Sequence, residues 1–121
     1  MILAVVGSRD FTDYDAFEAI LGLLSFDELV SGGAAGADRM AEVFAIKHDV
    51  KMTVLPPEWD KFPGKTAAFE RNKLIVQLAD ATVCFWDGSS KGTRLTMKLT
   101  WEAKKPLMIV RTDMMEASDE V

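Results

Sequence analysis

Five short apolar runs are spaced along the chain, and they predict five strands. Residues 2–6 show no alternation of polar and apolar positions, which is typical of a strand buried on both faces of a parallel sheet. Residues 81–86 have the same character. The predicted strands cover residues 2–6, 28–31, 51–55, 81–86 and 106–111.

The segments between these runs have the apolar spacing of amphipathic helices. The first helix is predicted to begin at Thr12, with Asp15 as its capping partner, and to reach Leu24. The second is predicted to open at Gly36, the third to cover residues 65–79, and the fourth to cover residues 93–104.

Strands that alternate with helices predict an α/β fold with a parallel sheet. We expect a Rossmann-like, doubly wound sheet of five strands in the order 3-2-1-4-5, with 2-1-3-4-5 as the alternative. Residues 1–111 form a single domain in this prediction, and residues 112–121 form an acidic, flexible tail.

Three glycine-containing loops follow the first, second and fourth predicted strands. They comprise residues 7–10, 31–38 and 87–93. Each precedes a helix, whose first N–H groups are unpaired and lie at the positive end of the helix dipole. The order 3-2-1-4-5 places the three loops side by side at the carboxyl edge of the sheet, where such folds bind ligands. The sequence therefore predicts a site for a nucleotide or a similar phosphorylated ligand.

Several polar and aromatic residues in or near these loops are candidates for contacts to that ligand. Arg9 could bind a phosphate through two hydrogen bonds, and Asp38 could accept one from a ribose hydroxyl or pair with Arg9. Arg71 with Asn72 would supply a second cation, although such a pair on a surface helix is usually solvated. Trp59 and Trp86 could flank a base or belong to the packing.

Charge and composition narrow the classes of partner. The formal net charge of −5 argues against nucleic acid as a partner, because proteins that bind its backbone usually carry a basic face.

The single cysteine, Cys84, rules out an internal disulfide and suits a reducing compartment, so we expect a cytoplasmic protein. The first residues look like a strand and not a signal peptide, and no apolar run reaches the length of a membrane span. No cluster has metal-ligand spacing, so we expect no metal ion; we also expect no cofactor.

The combination of motifs resembles the SLOG superfamily, and in particular its short YspA/YpsA-like branch. Trp59 with Gly64, Arg71-Asn72 and Ala79-Asp80 contribute to the resemblance. The longer matching stretches are Gly7-Ser8-Arg9-Asp10-Phe11, Ser31-Gly32-Gly33-Ala34-Ala35-Gly36-Ala37-Asp38 and Phe85-Trp86-Asp87-Gly88-Ser89-Ser90-Lys91-Gly92-Thr93. The resemblance implies a Rossmann-like domain that binds nucleotides or nucleotide-derived ligands. Relatives in the superfamily include the lonely-guy phosphoribohydrolases, which cleave the N-glycosidic bond of nucleoside monophosphates, and the DNA-processing protein DprA. Copies in phages and mobile elements are common in the branch.

Two departures bear on catalysis. The hydrolases of the superfamily have a Pro-Gly-Gly-x-Gly-Thr loop with an acid on the following helix turn. In this chain the residues that follow the loop include Arg94, Thr96 and Lys98 and no acid. The branch also usually has Ala-Gly-Pro where this chain has residues 67–69, Ala-Ala-Phe. Asp38, Asp87 or Glu70 would have to replace the missing carboxylate.

We therefore expect a ligand-binding or sensor protein, with a nucleotide N-glycosidase and a protein-interaction module with a vestigial pocket as the alternatives. The resemblance also implies a homodimer, in which Phe69, Leu74, Met97 and Trp101 would supply apolar surface. Candidate catalytic residues are Asp87 and Asp38. The predicted ligand-binding residues are Gly7, Ser8, Arg9, Gly32, Gly33, Gly36, Asp38, Trp59, Arg71, Asn72, Trp86, Asp87, Gly88, Ser89, Gly92 and Thr93.

Overall fold

The five strands form one parallel sheet in the order β3-β2-β1-β4-β5, as predicted. A computed structural model describes residues 1–115 of the chain. The strands are β1 (Ile2–Gly7), β2 (Glu28–Ser31), β3 (Lys51–Val54), β4 (Ala81–Trp86) and β5 (Leu107–Arg111). The helices are α1 (Tyr14–Leu21), α2 (Ala37–His48), α3 (Lys65–Leu78) and α4 (Lys91–Glu102), and Thr112–Met114 form a 3₁₀ turn.

The central strands β1 and β4 are in register from Leu3 opposite Ala81 to Gly7 opposite Phe85. Both strands are almost wholly buried, which explains their unbroken apolar sequences. On one face of the sheet, Phe17 of α1 and Phe44 of α2 pack with Phe85 and Val5. On the other face, Ile75 of α3 packs with strand residues that include Val6 and Cys84. The fold is thus a three-layer sandwich of helices, sheet and helices.

The helix boundaries differ from the prediction where a cap was not recognised. The α1 helix is capped by Asp13, whose Oδ1 accepts a hydrogen bond from Ala16 N at 3.0 Å, so the predicted Thr12 and Asp15 capping pair is wrong. The same helix ends at Leu21 and does not reach Leu24. The α4 helix begins two residues before the prediction because Ser90 is its N-cap.

The expectations about the tail, the membrane, the location and the oligomeric state have different outcomes. Residues 112–115, at the start of the predicted tail, include the 3₁₀ turn, and the rest of that tail lies outside the described residues. Over residues 1–115, no helix is long and apolar enough to cross a membrane. A cytoplasmic location and a homodimer stay predictions. Three of the residues expected at a dimer interface, Phe69, Leu74 and Trp101, are exposed in the single chain.

Candidate functional site

The loops that follow β1, β2 and β4 meet at the carboxyl edge of the sheet and enclose a cleft of about 380 Å³. The α3 helix closes one side of this cleft. All three predicted loops contribute to it, so Gly33 and Gly92 lie at the same edge of the sheet. The lining residues are Val6, Gly7, Arg9, Asp10, Ala34, Asp38, Ala68, Arg71, Asn72, Asp87, Ser90, Gly92, Thr93 and Thr96.

The loop after β1 is held by both neighbouring loops. Ser8 N donates a hydrogen bond to the Phe85 carbonyl at 2.9 Å, and Ser8 Oγ accepts one from Asp87 N at 3.0 Å. On the other side, a Cβ placed on Gly36 would lie only 2.2 Å from the Ser8 carbonyl oxygen. Gly36 also has φ +78°, which L side chains rarely adopt. Ser8 and Gly36 therefore fix the two loops against each other and do not line the cleft themselves.

Asp38 lies in the first turn of α2 and is 5% exposed. Its Oδ2 accepts hydrogen bonds from Gly32 N at 3.1 Å and Ala34 N at 3.3 Å. Burial raises the pKa of this carboxyl to about 6, against the lowering effect of these hydrogen bonds and of the Arg71 charge. Two N–H groups of this loop that were expected to hold phosphate therefore bind the chain's own carboxylate.

Arg71 extends from α3 across the β2 loop. Its Nη1 donates to the Gly32 carbonyl at 2.8 Å, and its Nε donates to Asn72 Oδ1 at 2.8 Å. A Cβ on Gly32 would lie 2.2 Å from Arg71 Nη1, so the guanidinium occupies the space that a side chain would take. Asn72 is 7% exposed. The pair is thus part of the cleft and not a solvated surface pair.

Arg9 brings a second guanidinium to the same cleft. Within residues 1–115 its side chain forms no hydrogen bond and no ion pair. Burial lowers the pKa of Arg71; the negative charge of Asp38 opposes this shift, and the positive charge of Arg9 adds to it by repulsion between the two cations.

The loop after β4 is organised by Asp87. Its Oδ1 accepts hydrogen bonds from Ser89 N at 2.9 Å and Ser90 N at 2.8 Å, and these bonds lower the pKa of the carboxyl. Ser90 Oγ in turn accepts from Thr93 N at 3.4 Å and caps α4. A Cβ on Gly92 would have no atom within 4 Å, so the first turn of α4 faces open space in the cleft.

Some predicted site residues lie outside the cleft. Trp59 is 61% exposed in the loop before α3 and does not line it. Trp86 donates from Nε1 to the Ser90 carbonyl at 3.0 Å and lies against the guanidinium groups of Arg94 and Arg111. Gly88 has φ +89° and lies against Arg111. Gly33, with φ +76°, and Ser89 shape their loops without lining the cleft.

Six residues that line the cleft were not among the predicted ligand-binding residues: Val6, Asp10, Ala34, Ala68, Ser90 and Thr96. Thr93, Thr96 and Thr100 are spaced along one face of α4 and are each at most 4% exposed. This polar stripe on an inner helix face was visible in the sequence, because buried threonines at helical spacing are unusual there.

Among the described residues, no group of three or more His, Cys, Asp or Glu side chains is placed to hold a metal ion.

Comparison with known proteins gives both a family and a fold. The family model described as YspA, cpYpsA-related SLOG family matches residues 1–62, which include the loops after β1 and β2. No curated protein sequence matches significantly. DNA processing protein A from Helicobacter pylori has a similar structure, with a TM-score of 0.74 and 22% identity over 97% of this chain and 68% of that chain. The same protein from Streptococcus pneumoniae has a TM-score of 0.77 and 21% identity over 94% of this chain, which spans only 51% of the pneumococcal chain.

The comparison corrects one expectation. Net charge argued against nucleic acid as a partner, but the structure of the Helicobacter protein concerns its mode of binding single-stranded DNA. The fold is therefore compatible with nucleic-acid binding. The inference from net charge was wrong because the charge of a whole chain does not describe its local surfaces.

Proposed function

Since the chain belongs to the YspA, cpYpsA-related SLOG family, we propose that it binds a nucleotide or a nucleotide-derived phosphorylated ligand in the cleft, as a sensor or ligand-binding protein. The observation that carries the proposal is the pair of guanidinium groups of Arg9 and Arg71 in one cleft, beside the open first turn of α4. A phosphate between them would offset their repulsion and accept hydrogen bonds from both.

The acidic residues of the cleft favour a nucleotide over inorganic phosphate. Asp10, Asp38 and Asp87 line the same space as the two arginines. A bare anion would be repelled by these carboxylates, whereas ribose hydroxyls can donate hydrogen bonds to them. A ligand that has both a phosphate and free hydroxyls satisfies both kinds of group. The cleft volume of about 380 Å³ lies within the usual range for small-molecule sites.

The proposal is tested by a thermal-shift screen followed by calorimetry. The probes are AMP, ADP-ribose, NAD and cyclic dinucleotides, with adenosine as the control that lacks phosphate. A ligand at a hundred times its dissociation constant adds about 2.7 kcal/mol to the free energy of unfolding. A short single-stranded oligonucleotide distinguishes a free nucleotide from a nucleotide within a strand.

Arg9→Ala is the variant that tests the phosphate contact. It should weaken binding of the phosphorylated ligand by about 1.5–3 kcal/mol, the range for a charge-assisted hydrogen bond, because the other cation, Arg71, is already bound to Gly32 and Asn72. The melting temperature of the free protein should hardly change, since Arg9 is exposed and unpaired in the described chain. Arg39→Ala, which removes the same charge from the exposed surface of α2, is the control.

Two results would contradict the proposal. Equal affinity for adenosine and AMP would exclude a phosphate contact. Failure of every probe to bind would favour the alternative of an interaction module with a vestigial pocket.

Cleavage of an N-glycosidic bond is the second candidate function, and one observation favours it. Asp38 and Asp87 line one cleft, and their environments move their pKa values in opposite directions, as is found for acid and base pairs in enzymes. Both carboxylates are nevertheless bound to backbone N–H groups of their own loops. Thr96 faces the cleft from the helix turn where the hydrolases of the superfamily carry an acid.

We therefore expect the protein to release no free base from nucleoside monophosphates, or to do so slowly. The measurement is chromatography after incubation with AMP and related monophosphates. Rapid turnover that disappears in Asp87→Asn would favour the enzyme over the binding protein. Turnover that persists in both Asp87→Asn and Asp38→Asn would show that neither carboxylate is the catalytic acid.

A further inference from the structure

The charges of this acidic chain are unevenly distributed along its sequence. Residues 87–111 contain six Lys or Arg and two Asp or Glu, whereas residues 1–86 contain eight and thirteen. The basic segment is α4 with its flanking loops and β5. On α4 itself, the cations Lys91, Arg94 and Lys98 are accompanied by one acid, Glu102, at the last residue of the helix.

These three cations lie on the solvent side of α4. Thr93, Thr96 and Thr100 mark the buried face, and helical spacing of 100° per residue places Lys91 and Lys98 on the opposite side, with Arg94 next to them. All three are exposed. None of them forms an ion pair with any residue in the part of the chain that the structure describes. On α2 and α3, by contrast, Arg39 and Lys73 pair with acids three residues away.

The position of Lys91 and Arg94 is electrostatically unfavourable in the isolated protein. Lys91 and Arg94 lie in or next to the first turn of the helix, at the positive end of its dipole, and that turn contains no acid. An external polyanion would offset this repulsion. The stripe from Lys91 to Trp101 is about 15 Å long, at 1.5 Å per residue, which is enough for more than one phosphate.

An aromatic side chain lies at the far end of the stripe. Trp101, which the homodimer prediction placed at an interface, is 76% exposed in the single chain. It follows Arg94 by seven residues and Lys98 by three, so it shares their face of the helix. An exposed indole beside unpaired cations is the arrangement on which unstacked bases bind, with the phosphates on the cations and a base on the ring. Bases in a duplex are already stacked and cannot use it.

From this placement of charges and an exposed ring we infer that the outer face of α4, through Lys91, Arg94, Lys98 and Trp101, binds single-stranded nucleic acid. The α4 face borders the cleft through the start of the helix, but the inference does not depend on occupation of the cleft. It goes beyond the proposed nucleotide site because it uses other residues and a polymeric ligand.

The test is fluorescence anisotropy with a labelled oligothymidylate of about 20 nucleotides at several NaCl concentrations. Three phosphate contacts on single strands give a slope of log K against log salt of roughly −2, or about a 15-fold loss of affinity between 50 and 200 mM salt. In the triple variant Lys91→Ala, Arg94→Ala, Lys98→Ala, affinity should fall at least tenfold and the slope should approach zero. Alanine is the best helix former, so the exposed face tolerates these changes.

The matched control is the triple variant Arg39→Ala, Lys51→Ala, Lys73→Ala, which has the same net charge but leaves the α4 face intact. It should retain the affinity and the slope of the unmodified protein. Trp101→Ala should weaken binding about tenfold and Trp101→Phe should restore most of it, because stacking needs an aromatic ring. Trp59→Ala, which removes the other strongly exposed indole, should have no effect.

Four outcomes would overturn the inference. The first is an equal loss of affinity in the control triple variant, and the second is equal or tighter binding of a duplex of the same length. The third is binding of polyglutamate but not of the oligonucleotide, which would indicate an acidic protein partner. The fourth is loss of oligonucleotide binding in Arg9→Ala but not in the α4 triple variant, which would assign the strand to the cleft. AMP binding by the α4 triple variant separates a failure of this inference from a failure of the nucleotide site.

Discussion

At the scale of single residues, the glycines of the cleft differ in what a side chain would meet. A Cβ on Gly36 would clash with the Ser8 carbonyl, and a Cβ on Gly32 would clash with the Arg71 guanidinium. Gly92 has no atom within 4 Å of that position. The first two are required for packing of the loops, whereas Gly92 leaves open the space that we assign to the ligand.

This difference predicts opposite effects of substitution on stability. Gly36→Ala should lower the free energy of unfolding by about 2 kcal/mol or more, because it combines a clash with a positive φ. Gly92→Ala should raise it by about 0.5–1 kcal/mol, since alanine is favoured over glycine within a helix, and should weaken ligand binding by filling the cleft. Urea denaturation and calorimetry measure the two quantities. A destabilised Gly92→Ala, or one that binds with full affinity, would contradict this assignment.

Asp38 makes stability depend on pH in a direction opposite to that of most carboxylates. The folded protein keeps the proton on Asp38 up to about pH 6, whereas the unfolded chain loses it near the ordinary pKa of 3.8. Its contribution to stability is therefore present below about pH 4 and is lost as the pH rises to about 6. A difference of about two pKa units corresponds to about 3 kcal/mol.

In Asp38→Asn this loss should be absent. The substitution changes the hydrogen bonds from Gly32 N and Ala34 N at every pH, so the informative quantity is the difference in unfolding free energy between pH 4 and pH 7. That difference should change by up to about 3 kcal/mol relative to the unmodified protein, in favour of pH 7. Parallel pH profiles for the two proteins would show that another group titrates in this range.

At the scale of secondary structure, strands were easier to predict from sequence than helix ends. The bounds of β2 and β4 match the prediction because their apolar runs are flanked by charged or glycine residues. Helix ends depend on single caps such as Asp13 and Ser90, and the nearby Thr12 and Thr93, at which the helices were predicted to begin, are plausible starts by residue type. A pattern of residue types could not show which of two nearby candidates faces the free N–H groups.

The end of α3 depends on a residue from another element. Lys105, which precedes β5, donates from Nζ to the carbonyls of Val76 at 2.7 Å, Gln77 at 3.2 Å and Ala79 at 2.7 Å. Lysine at this position satisfies the last carbonyls and complements the negative end of the helix dipole. It also joins α3 to β5.

Lys105→Met should therefore lower the free energy of unfolding by about 1–2 kcal/mol, because it keeps the apolar stem and removes the donors. Lys51→Met, which breaks only an exposed pair with Glu28 at 3.5 Å, should change it by less than about 1 kcal/mol. Chemical denaturation of both variants makes the comparison. Equal losses would mean that the three contacts of Lys105 contribute no more than a surface ion pair.

At the scale of the whole molecule, the sequence predicted the strand order and the meeting of the three loops. It did not predict which contacts the side chains of the cleft make with the loops. That Asp38 binds the N–H groups of Gly32 and Ala34 follows from the path of the loop, which residue types do not determine. Arg71 was a predicted ligand-binding residue, but its contact with Gly32 was not predicted, because it joins positions 39 residues apart. Net charge gave the wrong expectation about nucleic acid as a partner, because it averages over surfaces that the fold separates.

The burial of Cys84 has a consequence for measuring how this molecule opens. Its sulfur lies in β4 between the sheet and α3, is 0% exposed, and has a pKa that burial raises to about 12. A thiol reagent can modify it only after the helix layer separates from the central strands. Ellman's reagent should thus label the native protein at a rate set by global unfolding. Added ligand should slow this labelling by the factor by which it lowers the population of unfolded protein. A single native atom would then report both the opening equilibrium and the occupancy of the cleft, without an introduced probe.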